Sequence, residues 1–159
     1  MHTIQEVTKT EHAGGVNSWY GLYEAAHIVK DSNNNNITSV SGHMIFGSEY
    51  AQVLSFIDSN NASYSSIGHQ NEQETIPHKS GNVTQTGKYL DTVNNIVDLE
   101  GNLLEWTAQA GGTNCRVRRA GNYRSANGGF FNPTSFSAGY YPTDTSSSDG
   151  VRQSLYVAL

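Results

Sequence analysis

From Ser59 to Lys88 the chain is made largely of Ser, Asn, Gln, Gly and Thr, with no apolar period that could bury a face. A segment this long without a packing pattern is functional or is held by its neighbours. The core must therefore be assembled from the residues before and after it, and those two parts carry different patterns.

Before the tract the spacing is helical. Asn17 and Ser18 can cap a helix running to about Lys30, with Trp19, Leu22, Ala26 and Val29 on one face, and the tract Asp31 to Asn36 ends it. After a short apolar piece, Met44 to Phe46, Ser48 can cap a second helix with Tyr50, Val53, Leu54 and Ile57 turned inward. After the tract the pattern is that of short strands: Ile96 to Leu99, Leu103 to Thr107, Arg116 to Tyr123 and Ser154 to Ala158. Helices first and strands after predict an α+β fold, two helices on short antiparallel strands with long loops. The 159 residues suit a single domain, 1–159, in which 1–14 is a poorly defined opening and 59–88 the long loop region.

Composition narrows the function classes. With 16 Gly, 18 Ser and 16 Asn, about a third of the chain is small and turn-prone, while 16 aromatic residues are enough to nucleate a core. No apolar run of about 18 residues is present, so no membrane insertion is expected. The single cysteine, Cys115, excludes an internal disulfide and a cysteine-based zinc site. Every Lys precedes Cys115 and every Arg follows it, but five Arg spread from 116 to 152 are a weak nucleic-acid footprint, and no nucleic-acid partner is expected. Gly111-Gly112-Thr113 lacks the lysine of a phosphate cradle, and no Gly-x-Ser-x-Gly elbow occurs.

Between 122 and 149 the chain sets Asn122, Tyr123, Arg124, Asn127, Phe130, Phe131, Asn132, Phe136, Tyr140 and Tyr141 among Gly, Ser and Thr. Rigid aromatics with adaptable small polar residues are the composition of recognition loops. All but Phe136 are the candidate ligand-binding residues. Phe130, Phe131 and Tyr140 are expected to face outward more than Phe136, while the competing reading places about half of these aromatics in the core. Trp106 is expected to be core.

The string Asn95-Ile96-Val97-Asp98-Leu99-Glu100-Gly101-Asn102-Leu103-Leu104-Glu105-Trp106-Thr107 resembles the N-x-x-D-x-x-G-N-x-x-E-W-T signature of the sulfatase-modifying, or formylglycine-generating, family. Arg116 to Tyr123 and Asp149 to Val157 look like that family's later strands, and Gly15 to Tyr20 and Ile45 to Tyr50 look more loosely like the starts of its two helices. The resemblance covers residues 15–158 in order and implies a C-type lectin-like fold. In catalytic members a cysteine pair binds copper, as soft thiolates suit copper(I). Those positions fall here on Ser125 and Phe130, neither of which supplies a thiolate, so the resemblance implies a non-enzymatic branch. The family's calcium sites imply that Glu105 and Asn102, with carbonyls near Glu100, Gly101 and Leu103, could hold calcium, a hard cation that takes oxygen ligands. The alternative is that Asn102 only makes the turn and Glu105 pairs with an arginine. No other cofactor is expected.

An Asn-, Ser-, Tyr- and Phe-rich segment between the two later strands is also similar to the variable proteins of diversity-generating retroelements, bacterial, phage and archaeal binders whose exposed codons are rewritten there. The expected function is therefore ligand recognition through 122–149, with an unknown protein or glycan partner. The expected location is the cell surface, the exterior or a phage particle if an upstream export or assembly segment exists. The alternatives are a structural module of a larger chain or assembly, or a divergent oxidoreductase of the same family.

Overall fold

A two-residue strand, β1 (Thr3–Ile4), precedes the first helix. Ser18 begins that helix with extended backbone and a hydroxyl that accepts the Gly21 N–H at 3.3 Å, and α1 covers Trp19–Ala25. The computed structural model describes residues 3–4, 17–60, 83, 86, 92–99, 102–122, 134 and 136–157. Most of the expected long loop and of the expected opening segment lies outside them, and the first two loop residues, Ser59 and Asn60, belong to the second helix.

Helix α1 stops short of Lys30: the His27 and Ile28 N–H groups donate only three residues back, to Glu24 O and Ala25 O at 3.0 Å, and Asp31 organises the tight turn that follows. One Asp31 carboxylate oxygen accepts the N–H groups of Asn33 and Asn35, both at 2.9 Å, while Ile37 N–H donates to Val29 at 2.8 Å. An aspartate that satisfies nearby backbone donors offers the chain an alternative to another helical turn. Strand β2 (Val40–Met44) follows, then α2 (Gly47–Asn60). The cap of α2 differs from the expected Ser48: the Glu49 carboxylate reaches back to the Phe46 N–H at 2.8 Å, the carboxylate half of a capping box.

The hairpin of β3 (Thr92–Val93) and β4 (Ile96–Val97) turns through Asn94 and Asn95, with φ of 48° and 64°. Asparagine is the commonest residue after glycine to accept such angles, and two in succession make a hairpin turn of the twist-matched kind. Strands β5 (Leu104–Ala110), β6 (Arg116–Arg119), β7 (Phe136–Tyr140) and β8 (Asp149–Val157) complete the set among the described residues.

The main sheet runs β1-β8-β5-β6-β7, and β2 also pairs with β8. The fold is α+β, as expected, but the strands are not all antiparallel: β5 and β8 run parallel, with Leu104, Glu105 and Trp106 opposite Asp149, Gly150 and Val151. Beyond that point β2 takes over as the partner of β8, Val40 to Met44 against Val157 to Gln153. Ile45 then bridges the two long strands, donating to Arg152 O and accepting from Ala108 N–H, each at 3.0 Å. Strand β8 therefore begins earlier than its apolar C-terminal half predicts, because its first residues carry the parallel pairing.

Two clusters form the core. On one, Trp19, Leu22 and Ala26 of α1 pack against Met44, Trp106 and Val151; on the other, Tyr50, Leu54 and Ile57 of α2 pack against Ile45, Val93 and Leu99. The buried faces of both helices are those their spacing predicts, except that Val29 lies beyond α1 and is only partly buried. Trp106 is fully buried.

Candidate functional site

Two buried ion pairs set the frame. Glu105 and Arg152, 47 positions apart and each 0% exposed, face one another across the parallel strands. Arg152 Nε donates to Glu105 Oε2 at 2.7 Å, and Nη2 donates to Oε1. The rest of the guanidinium donates to the carbonyls of Val97 at 3.2 Å and Asp98 at 3.0 Å, so one side chain ties β8 to β5 and to the β3–β4 hairpin. Burial works against the Arg152 charge, but the Glu105 carboxylate, joined by Tyr50 and Asp98, holds the guanidinium above its ordinary value.

This placement bears on the calcium expectation. Asn102 makes the turn with φ of 65°, and its amide donates to Asp98 Oδ2 at 3.5 Å. Both oxygens of Glu105 are engaged by Arg152, so a cation there would have to break a buried, bidentate pair. Among the described donors Glu105 is committed to Arg152, the pairing that the alternative reading expects. Glu100 and Gly101 lie outside the described residues. Among the described residues no group of three or more His, Cys, Asp and Glu is placed to hold a metal.

The second pair lies toward β7. Arg118 Nη1 donates to both oxygens of Asp149, at 2.8 and 2.6 Å, and both side chains are buried. The Arg118 guanidinium lies 3.2 Å from the Tyr140 ring centroid and 5.1 Å from that of Trp106. Burial pushes the Asp149 carboxyl above the usual carboxylate range; Arg118 opposes that shift and the negative charge of Asp144 adds to it.

Around Arg118 opens a cleft of about 460 Å³. Leu104 at the start of β5, Arg118 on β6 and Asn122 just beyond β6 line one part of it. Tyr140 at the end of β7 and the turn residues Asp144, Thr145, Ser146 and Ser148 line the rest. The turn is fixed by its own hydrogen bonds. Tyr141 N–H donates to Asp144 Oδ2 at 2.8 Å, Ser146 and Ser148 hydroxyls meet at 2.7 Å, and Leu104 N–H donates to Ser148 O at 2.8 Å. Trp19 N–H donates to Pro142 O at 3.0 Å, so α1 holds the same turn from the other side.

Of the sequence-predicted ligand residues, Asn122 and Tyr140 line the cleft, and Tyr141, next in the chain, is 56% exposed. Tyr123, Arg124, Asn127, Phe130, Phe131 and Asn132 lie outside the described residues, as does Ser125. The expected order of exposure is reversed for two aromatics: Phe136 is 57% exposed and Tyr140 37%. The reason is register. Phe136 sits opposite Arg119 with that guanidinium 5.3 Å from its ring, whereas Tyr140 is covered by Arg118 and meets the edge of Trp106.

Sequence reading did not pick out Arg118, Asp149 or the serines as cleft residues. A cluster of arginines on an otherwise apolar strand, Arg116-Val117-Arg118-Arg119, is the signal that was available, since buried arginines need ring or carboxylate partners. A separate polar cluster lies on β2 and α2. Glu49 accepts from Tyr156 Oη at 2.9 Å and lies 2.9 Å from His43 Nε2, and the rings of His43 and Tyr156 stack at 4.8 Å. No helix among the described residues is long and apolar enough to cross a membrane. Comparison with protein-family models, with curated proteins and with solved structures gives no match.

Proposed function

We propose that the chain is a non-enzymatic recognition domain of C-type lectin-like fold, a branch of the formylglycine-generating type that has lost its cysteine pair. Its ligand, a protein or a glycan, binds at the face built from 122–149, a segment diversified as in retroelement variable proteins. The observation that carries the reading is the cleft beside β6 and β7, lined by Asn122 and Tyr140 from the segment whose composition is that of a recognition loop. Two features support it. The strings that resemble the family, 95–107 and 149–157, meet where the start of β5 runs parallel to β8 and Glu105 pairs with Arg152. The cleft is bounded by residues held in place from β5, β6, β8 and α1, and a preorganised surface loses little entropy on binding.

The test is a screen of immobilised glycans and cell-surface proteins with the wild-type chain and with the double variant Asn122→Ala/Tyr141→Ala. The reading expects a ligand whose affinity falls at least about tenfold in the double variant while Tm is unchanged, a loss of roughly 1.4 kcal/mol. A ligand bound equally by both proteins would place recognition elsewhere.

A further inference from the structure

Away from the cleft, about 20 Å along β8 from Asp149, side chains from three elements converge: His43 on β2, Glu49 on α2 and Tyr156 on β8. Glu49 Oε1 lies 2.9 Å from His43 Nε2 and 2.9 Å from Tyr156 Oη, and Tyr156 Oη lies 3.5 Å from His43 Nε2. This triangle has the dimensions of a coordination face. Donors bound at about 2.1 Å to one ion stand roughly 3.0 Å apart at right angles and roughly 3.4 Å apart in a tetrahedron. A point about 2.1 Å from all three atoms lies about 1 Å off their plane.

The donors are also held in place. Phe46 N–H donates to Glu49 Oε2 at 2.8 Å, while Oε1 is the oxygen that Tyr156 reaches. The His43 ring packs against Tyr156, stacked at 4.8 Å, and against Phe46, tilted at 5.0 Å. Outer contacts that fix a ligand's orientation raise metal affinity. The side chains of His43 and Glu49 are 12% and 23% exposed and Tyr156 is 54% exposed, so water reaches the open side, as in a three-ligand site with a free position.

We infer that His43, Glu49 and Tyr156 form a binding site for a divalent transition-metal ion of the zinc or copper class. The site is independent of the recognition face proposed above. An imidazole nitrogen suits these ions, whereas calcium and magnesium take oxygen ligands. The Nε2 and Oη protons that join the three side chains give way to the ion. The imidazole proton is then carried on Nδ1 and the phenol proton goes to solvent, so binding releases a proton and tightens as pH rises.

The experiment is calorimetric titration of the chelator-stripped chain with Zn²⁺, Cu²⁺, Mg²⁺ and Ca²⁺. Wild type is compared with His43→Gln and Tyr156→Phe, and His27→Gln and Cys115→Ser control for binding elsewhere. One equivalent of Zn²⁺ and of Cu²⁺ is expected, Cu²⁺ the tighter, with Mg²⁺ and Ca²⁺ roughly a hundredfold weaker. His43→Gln and Tyr156→Phe should each weaken Zn²⁺ about tenfold or more, while the controls stay within about twofold. The Cu²⁺-loaded wild type should show a phenolate-to-copper absorption band in the visible that Tyr156→Phe lacks. Substoichiometric Cu²⁺ added to the isotope-labelled wild type should broaden first the amides around 43, 49 and 156, a result that needs no variant to fold. No uptake, uptake that both His43→Gln and Tyr156→Phe leave intact, or broadening centred on other residues overturns the inference.

Discussion

Arg152 and Glu105 are the residues on which most of the fold converges, because one guanidinium serves a carboxylate and two carbonyls from two other strands. Removing one partner of a fully buried pair leaves an uncompensated charge. Arg152→Met is therefore expected to lower unfolding free energy by about 3–5 kcal/mol in urea titration. Adding Glu105→Leu should recover only part of this, since the Val97 and Asp98 carbonyls stay unsatisfied at about 1–3 kcal/mol each. Glu49 gives a pH signature of its own. Burial pushes its carboxyl up, but the Phe46 N–H, His43 and Tyr156 together hold it below its ordinary value of 4.5. A lowered carboxylate stabilises the fold above its unfolded pKa, and that stability is lost as pH falls through the folded value. The Tm gap between wild type and Glu49→Gln should thus be widest near neutrality and narrow as pH drops below 4.5, and a gap independent of pH would refute the assignment.

At the scale of elements, the turn joining β5 to β6 is packed directly under β7. A Cβ on Gly111 would come within 2.3 Å of the Ala138 carbonyl oxygen, whereas one on Gly112 would meet nothing within 4 Å. Gly111→Ala is expected to cost about 1–3 kcal/mol by forcing β7 away, and thermal denaturation of Gly112→Ala should show a change within about 0.5 kcal/mol. What could be read from the sequence at this scale follows the range of the interaction. The faces of α1 and α2 are legible because a helical stripe repeats within a few residues. The end of α1 is not, because the chain tightens to three-residue bonds at His27 and Ile28 although the apolar spacing runs on to Val29. The parallel pairing of β5 with β8 brings together residues about 45 positions apart, and no local period encodes it.

For the whole molecule, the account separates a framework from a display segment. The framework is the sheet, the two helices and the pairs Glu105–Arg152 and Arg118–Asp149; the proposed display segment is 122–149 apart from β7 and Asp149, and its described residues Asn122 and Asp144 to Ser148 meet the framework at the cleft. Composition singles out the segment, but it does not place the cleft, whose Arg118 is fixed by Asp149, a residue 31 positions away. A framework under these packing demands tolerates little change, and a loop-borne surface tolerates much. The most direct measurement is to sequence this gene deeply across its source population. The account predicts substitutions concentrated in exposed codons between 122 and 149, with Glu105, Trp106, Arg118, Asp149 and Arg152 unchanged. An invariant 122–149 segment, or substitutions spread evenly over the chain, would contradict it.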